Sequence, residues 1–131
     1  MIYIGHFSFD EIGLEQEVRY GYFSMVVDTD NVEHAVNEFK ELILSMKKTE
    51  DVFQRIVAVY MEDVIELQHV PKKAIVTRIQ SSVGEFPKSI TRSLPGVVAP
   101  GINIYGWEPD VRESETAKNT GHKEANPFIK F

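Results

Sequence analysis

The sequence predicts an α+β fold, a mainly antiparallel sheet of about four to five strands carrying one amphipathic helix on one face. Three observations lead there. Val32, Ala35, Val36, Phe39, Leu42, Ile43 and Met46 recur at steps of three and four, the stripe of a helix with one buried side. The runs on either side are rich in aromatic and β-branched residues, which favour strands. Several connections between those runs are too short for the crossovers of a parallel sheet.

Taken in order, Met1 to Phe9 alternates, with Tyr3, Phe7 and Phe9 on one parity and Ile2, Ile4 and His6 on the other, and reads as a first strand. Asp10 to Glu17 is polar, is broken by Gly13, and reads as a loop. Arg19 to Asp28 is the second strand. Asp30, with Glu33 three residues on, is placed as the helix N-cap, and Lys47 and Lys48 suit the negative end of the helix dipole. Arg55 to Leu67 is a third strand, interrupted by a bulge or turn at Glu62-Asp63. Ala74 to Ile79 is expected as a fourth strand, antiparallel to the third. Prolines and glycines make 81–101 a long loop, of the kind that often carries function. Ile102 to Trp107 reads as a short last strand.

These elements make one domain over 1–107. Residues 108–131 form a tail expected to be mobile, or to dock through Phe128, Ile129 and Phe131 on the body or on a neighbour. The nearest familiar topology is ferredoxin-like, although a second helix is not evident. The junction Val27-Asp28-Thr29-Asp30-Asn31 resembles a pattern common in small ferredoxin-like and regulatory modules. Helix capping accounts for each of its polar residues, so the resemblance implies no activity.

Composition excludes several classes of function. With 131 residues, 43% of them hydrophobic, the chain buries one core without needing a staple. It has no cysteine, which removes disulfides, thiolate metal sites and thiol catalysis. The opening segment has no basic leader and no stretch is apolar enough to span a bilayer, so a cytoplasmic protein is expected. A net charge of −6 argues against nucleic-acid binding. That charge is unevenly spread. Residues 1–70 carry 14 acidic against 5 basic side chains, and residues 71–131 carry 9 basic against 6 acidic.

No constellation points to catalysis. His6, His34, His69 and His122 lack metal-ligand spacing, although His6 and His69, in or beside different strands, could converge. Asp28 and Asp30 are read as capping residues. Glu62 and Asp63, adjacent in a strand, would point to opposite faces rather than act as an acid–base pair. Ser81, Ser82, Ser89 and Ser93 stand in no nucleophile elbow, and the glycines form no phosphate loop. No metal or cofactor is expected. The local anomaly is a basic, hydroxyl-rich stretch holding Lys72, Lys73, Arg78, Lys88 and Arg92 against Glu85. It is a candidate for a ligand, an anion or an acidic protein partner.

The functional expectation is a non-enzymatic interaction domain that forms homodimers, since one helix covers only one face of a sheet. The alternative is a small enzyme or ligand-binding regulatory module with a pocket between the sheet and the 81–101 loop. A cleft containing His6, His69 or Arg78 would favour that alternative.

Overall fold

The computed structural model describes residues 1–82, 89–92, 101–106 and 127–131. Strand β1 (Ile2–Ile12) turns back into β2 (Val18–Asp28), and helix α1 (Val32–Thr49) follows. A single 3₁₀ turn (Asp51–Phe53) leads into β3 (Ile56–Leu67). Then come β4 (Ile79–Ser82), β5 (Ser89–Arg92), β6 (Ile102–Gly106) and β7 (Ile129–Lys130). The main sheet has the order β2-β1-β3-β6 and is antiparallel throughout. On the outer edge of β3, β6 pairs with Asp63–Leu67, while β7 pairs with Ala58 and Val59. The class is α+β, as expected.

The helix side of the sheet is built around aromatic rings. Tyr3, Phe7, Val59, Met61 and Val64 pack against Ala35, Phe39 and Ile43 of α1. Phe7 is the hub. Its ring stacks on Phe23 at 5.1 Å, meets Phe39 edge-on at 5.6 Å and touches Phe128 at 5.9 Å. Gly5 makes this possible, because a Cβ there would lie 2.6 Å from the Phe7 ring and 2.8 Å from that of Phe39. Phe128 and Ile129 are buried in the same cluster, so the chain's last residues complete its own core.

Four details differ from the sequence reading. The N-cap is Asn31, whose Oδ1 accepts the His34 amide proton at 2.9 Å, and not Asp30. β1 continues through Asp10 and Glu11 to Ile12. Its polar end is held by partners across the strands, Tyr60 to Asp10 and Arg19 to Glu11. Residues 74–78 are not a strand, and β4 pairs with β5 in a separate two-stranded sheet rather than with β3. The β3 edge is already filled by β6 and β7. Part of the expected 81–101 loop is therefore strand, while 83–88, 93–100 and 107–126 lie outside the described residues.

β2 and β3 both run antiparallel to β1, so β2, α1 and β3 form a β-α-β unit split by β1. This does not establish a ferredoxin-like topology, since α1 is the one α-helix among the described residues. No helix among them is long and apolar enough to cross a membrane.

Candidate functional site

The side of the sheet away from α1 is polar at its centre. Alternation along β1 sends Phe7 and Phe9 toward the helix and His6, Ser8 and Asp10 to the opposite face. On β3 the register shifts between His6 and Phe7. His6 lies opposite Asp63 and Phe7 opposite Met61, which leaves Glu62 as the extra residue of a β-bulge. The bulge expected at the acidic pair is present, but the pair does not split between faces. Asp63 Oδ1 lies 2.7 Å from His6 Nδ1, and Ser8 donates its hydroxyl proton to Glu62 Oε1 at 2.5 Å. One residue out of register has placed two adjacent carboxylates on one face. Further along, the Tyr60 hydroxyl donates to Asp10 Oδ2 at 2.9 Å. Burial of that phenol and its carboxylate partner push its pKa up.

Arg78, carried by the chain leaving β3, reaches over this face. The 68–78 connection starts at the end of that strand and reaches β2, where the Arg78 guanidinium lies 4.4 Å above the Tyr22 ring. Tyr22 is opposite Ser8 in the β1–β2 ladder, and Tyr20 is opposite Asp10. Arg78 therefore sits over the row that carries Ser8. Desolvation lowers its pKa, while the nearby charges of Glu62 and Asp63 act in the other direction. Among the described residues its Nε and Nη2 atoms are buried and have no hydrogen-bond acceptor, and Asp10 Oδ1 is buried and has no donor. A buried polar atom left without a partner costs about 1–3 kcal/mol, more when charged, so each of these atoms calls for an explanation.

A second polar cluster closes one end of the sheet and is centred on Glu66. Glu66 accepts from the Tyr3 hydroxyl and from Asn103 Nδ2, each at 2.7 Å, and from Tyr105 at 3.4 Å. The Tyr3 hydrogen bond comes first among the causes that hold the Glu66 carboxyl below its ordinary range. Burial, then Glu66, pushes the Tyr3 phenol up to about 12. With both Glu66 oxygens engaged, this cluster is a structural clasp between β1, β3 and β6.

Of the basic residues singled out in the sequence, Lys72 and Lys73 share one groove and Arg78 lies over Tyr22. Lys72 and Lys73 line an open groove with His69, Pro71, Ile75 and Ile102, and Arg78 is not among its lining residues. Arg92 ends β5 opposite Ile79, and Lys88 lies outside the described residues. His6 and His69 do not converge. His6 is buried against Asp63, whereas His69 is exposed past the end of β3. Among the described residues there is no group of three or more His, Asp and Glu side chains able to hold a metal ion. Sequence reasoning missed Asp10 and the Glu62–Asp63 pair as members of one face. The polar parity His6-Ser8-Asp10, set against Phe7-Phe9, was the signal available.

Ser8, His6 and Asp63 are the residue types of a hydrolytic triad, but their connections differ from it. The Ser8 hydroxyl proton is directed to Glu62 and not to the imidazole, and Ser8 is 0% exposed. What the fold and this face define is an α+β domain with a hydrogen-bonded polar floor beneath an incompletely paired arginine. The chain matches no protein-family model, no curated protein and no solved structure in the comparisons made with them.

Proposed function

We propose that this chain is a non-enzymatic binding module whose small-molecule ligand sits on the polar face of the sheet, beside Arg78. The observation that carries this reading is the buried Nε and Nη2 of Arg78, two donors of a charged group that find no acceptor among the described residues. The Ser8 hydroxyl is buried and donates to Glu62, which supports a recognition role over a catalytic one, since a nucleophile there would need to reach a substrate and a base. A cytoplasmic setting fits a chain with no cysteine. The test is an amide-resolved NMR spectrum of the full chain recorded with mixtures of small polar metabolites. Shifts should concentrate at residues 6–10, 60–63 and 78 and vanish in Arg78→Gln. Shifts confined to the Lys72–Lys73 groove, or no shifts at all, would refute the reading.

A second reading, self-association, is favoured by a separate observation. β2 is an edge strand of 11 residues that pairs only with β1 among the described residues, and Val18 and Val26 on it are exposed. Such an edge is a template for a second copy of the same strand. The polar centre of the open face makes that face a poorer dimer surface than the edge. Sedimentation at micromolar concentration distinguishes the two, because a monomer near 15.0 kDa would remove the dimer.

A further inference from the structure

We infer that the ligand of this face is a small zwitterion, a carboxylate joined by a short chain to an ammonium group. The inference deepens the binding reading above and rests on it. Nε–H and the adjacent Nη2–H form one edge of the guanidinium, and two parallel donors on one edge match the two oxygens of a carboxylate. That is the edge Arg78 leaves without an acceptor. The opposite requirement stands on the same face, where Asp10 Oδ1 is a buried acceptor with no donor.

Charge narrows the choice. Asp10 and Arg78 carry opposite charges, and among the described residues each leaves part of its charged group without a partner. A simple anion such as phosphate would leave the Asp10 oxygen without a donor, whereas a zwitterion adds no net charge and places its ammonium toward Asp10. Spacing narrows it again. Arg78 lies over Tyr22, and Asp10 is opposite Tyr20, two residues along β2. Two strand residues span about 7 Å, so the charged ends of the ligand should lie roughly 5–7 Å apart. The unpaired atoms are covered, so a ligand must open this face to reach them, and Arg78 is carried by the 68–78 connection. Residues 74–78 of that connection belong to no strand ladder.

The experiment is isothermal titration calorimetry of the full chain at low salt. The probes are glycine, β-alanine, γ-aminobutyrate and δ-aminovalerate, with acetate, n-butylamine and inorganic phosphate as one-ended controls. Affinity should peak at γ-aminobutyrate or δ-aminovalerate, with the one-ended probes at least about tenfold weaker. Arg78→Gln and Asp10→Asn should each weaken the best probe by at least about tenfold. Asp10→Asn keeps an acceptor for Tyr60, so it tests the ligand contact should Arg78→Gln fail to fold. A flat length series, a one-ended probe as tight as the best zwitterion, insensitivity to Asp10→Asn, or no heat with any probe would each overturn the zwitterion. The binding reading falls separately, if the metabolite mixtures leave residues 6–10 and 60–63 unshifted.

Discussion

At the scale of single residues, the two sides of β1 are held by different physics. On the helix side the constraint is space. A methyl at Gly5 would meet the buried rings of Phe7 and Phe39 at under 3 Å, and neither ring has room to retreat. Gly5→Ala should therefore destabilise by about 1–3 kcal/mol through overpacking, measured by chemical denaturation. Phe39→Ala creates the opposite defect, a cavity beside Phe7, and should cost about 3–5 kcal/mol. At the clasp the constraint is protonation. The folded state holds Glu66 ionised and Tyr3 neutral. The Glu66 contribution is complete above its ordinary value of 4.5 and is lost as pH falls through its depressed folded value. The Tyr3 contribution is complete below 10.0 and is lost as pH rises toward about 12. Stability should accordingly decline on both flanks, and Glu66→Gln should flatten the acid flank. An unchanged acid flank in that variant would show that Glu66 does not contribute. Gly5 and Phe39 could be assigned to a strand and a helix from the sequence, but the contact between them could not, because no local pattern encodes which ring faces which glycine.

At the scale of elements, legibility followed periodicity. The α1 stripe spans about four turns and could be read directly. Its cap was displaced by one residue because Asp30 and Asn31 both have capping side chains, and only backbone geometry decides between them. Asn31→Ala should cost about 1 kcal/mol. Asp30→Ala, which removes only a favourable charge near the helix start, should cost a few tenths. Equal costs would contradict the assignment of the cap. The bulge at Glu62 was foreseeable from an acidic pair interrupting an apolar run, but its consequence was not. Strand periodicity sends neighbours to opposite faces, and the bulge cancels that rule at this point. The expected strand at 74–79 failed for a non-local reason. Its apolar, β-branched composition is suitable, but the β3 edge was taken by segments 102–106 and 129–130 from much later in the chain.

At the scale of the whole molecule, the last residues close the structure, and this is where sequence distance hides most. Phe128 packs on the ring of Phe7, its amide donates to the Val59 carbonyl at 2.8 Å, and the Phe131 amide donates to Val57 at 2.8 Å. Lys47 reinforces this end. Its ammonium lies 4.8 Å from the centre of the Phe131 ring and also donates to the carbonyl of Ile56 at 2.7 Å. Partial burial lowers its pKa. The C-terminal segment therefore joins the helix, the first strand and the third. Its removal exposes the Phe7 ring, leaves part of the β3 edge unpaired and removes one of the partners of the Lys47 cation. Burial of one phenylalanine and one isoleucine is worth about 3–6 kcal/mol together. That is a large share of the roughly 5–15 kcal/mol by which domains are stable. Deleting 127–131 should lower the denaturation midpoint sharply, and Phe128→Ala alone should account for more of the loss than Phe131→Ala, since Phe128 is 9% exposed and Phe131 40%. If the deletion melts at the same denaturant concentration as the intact chain, the C-terminal strand is not part of the core. If Phe131→Ala proves the costlier change, the contact with Lys47, rather than burial against Phe7, holds this end of the chain.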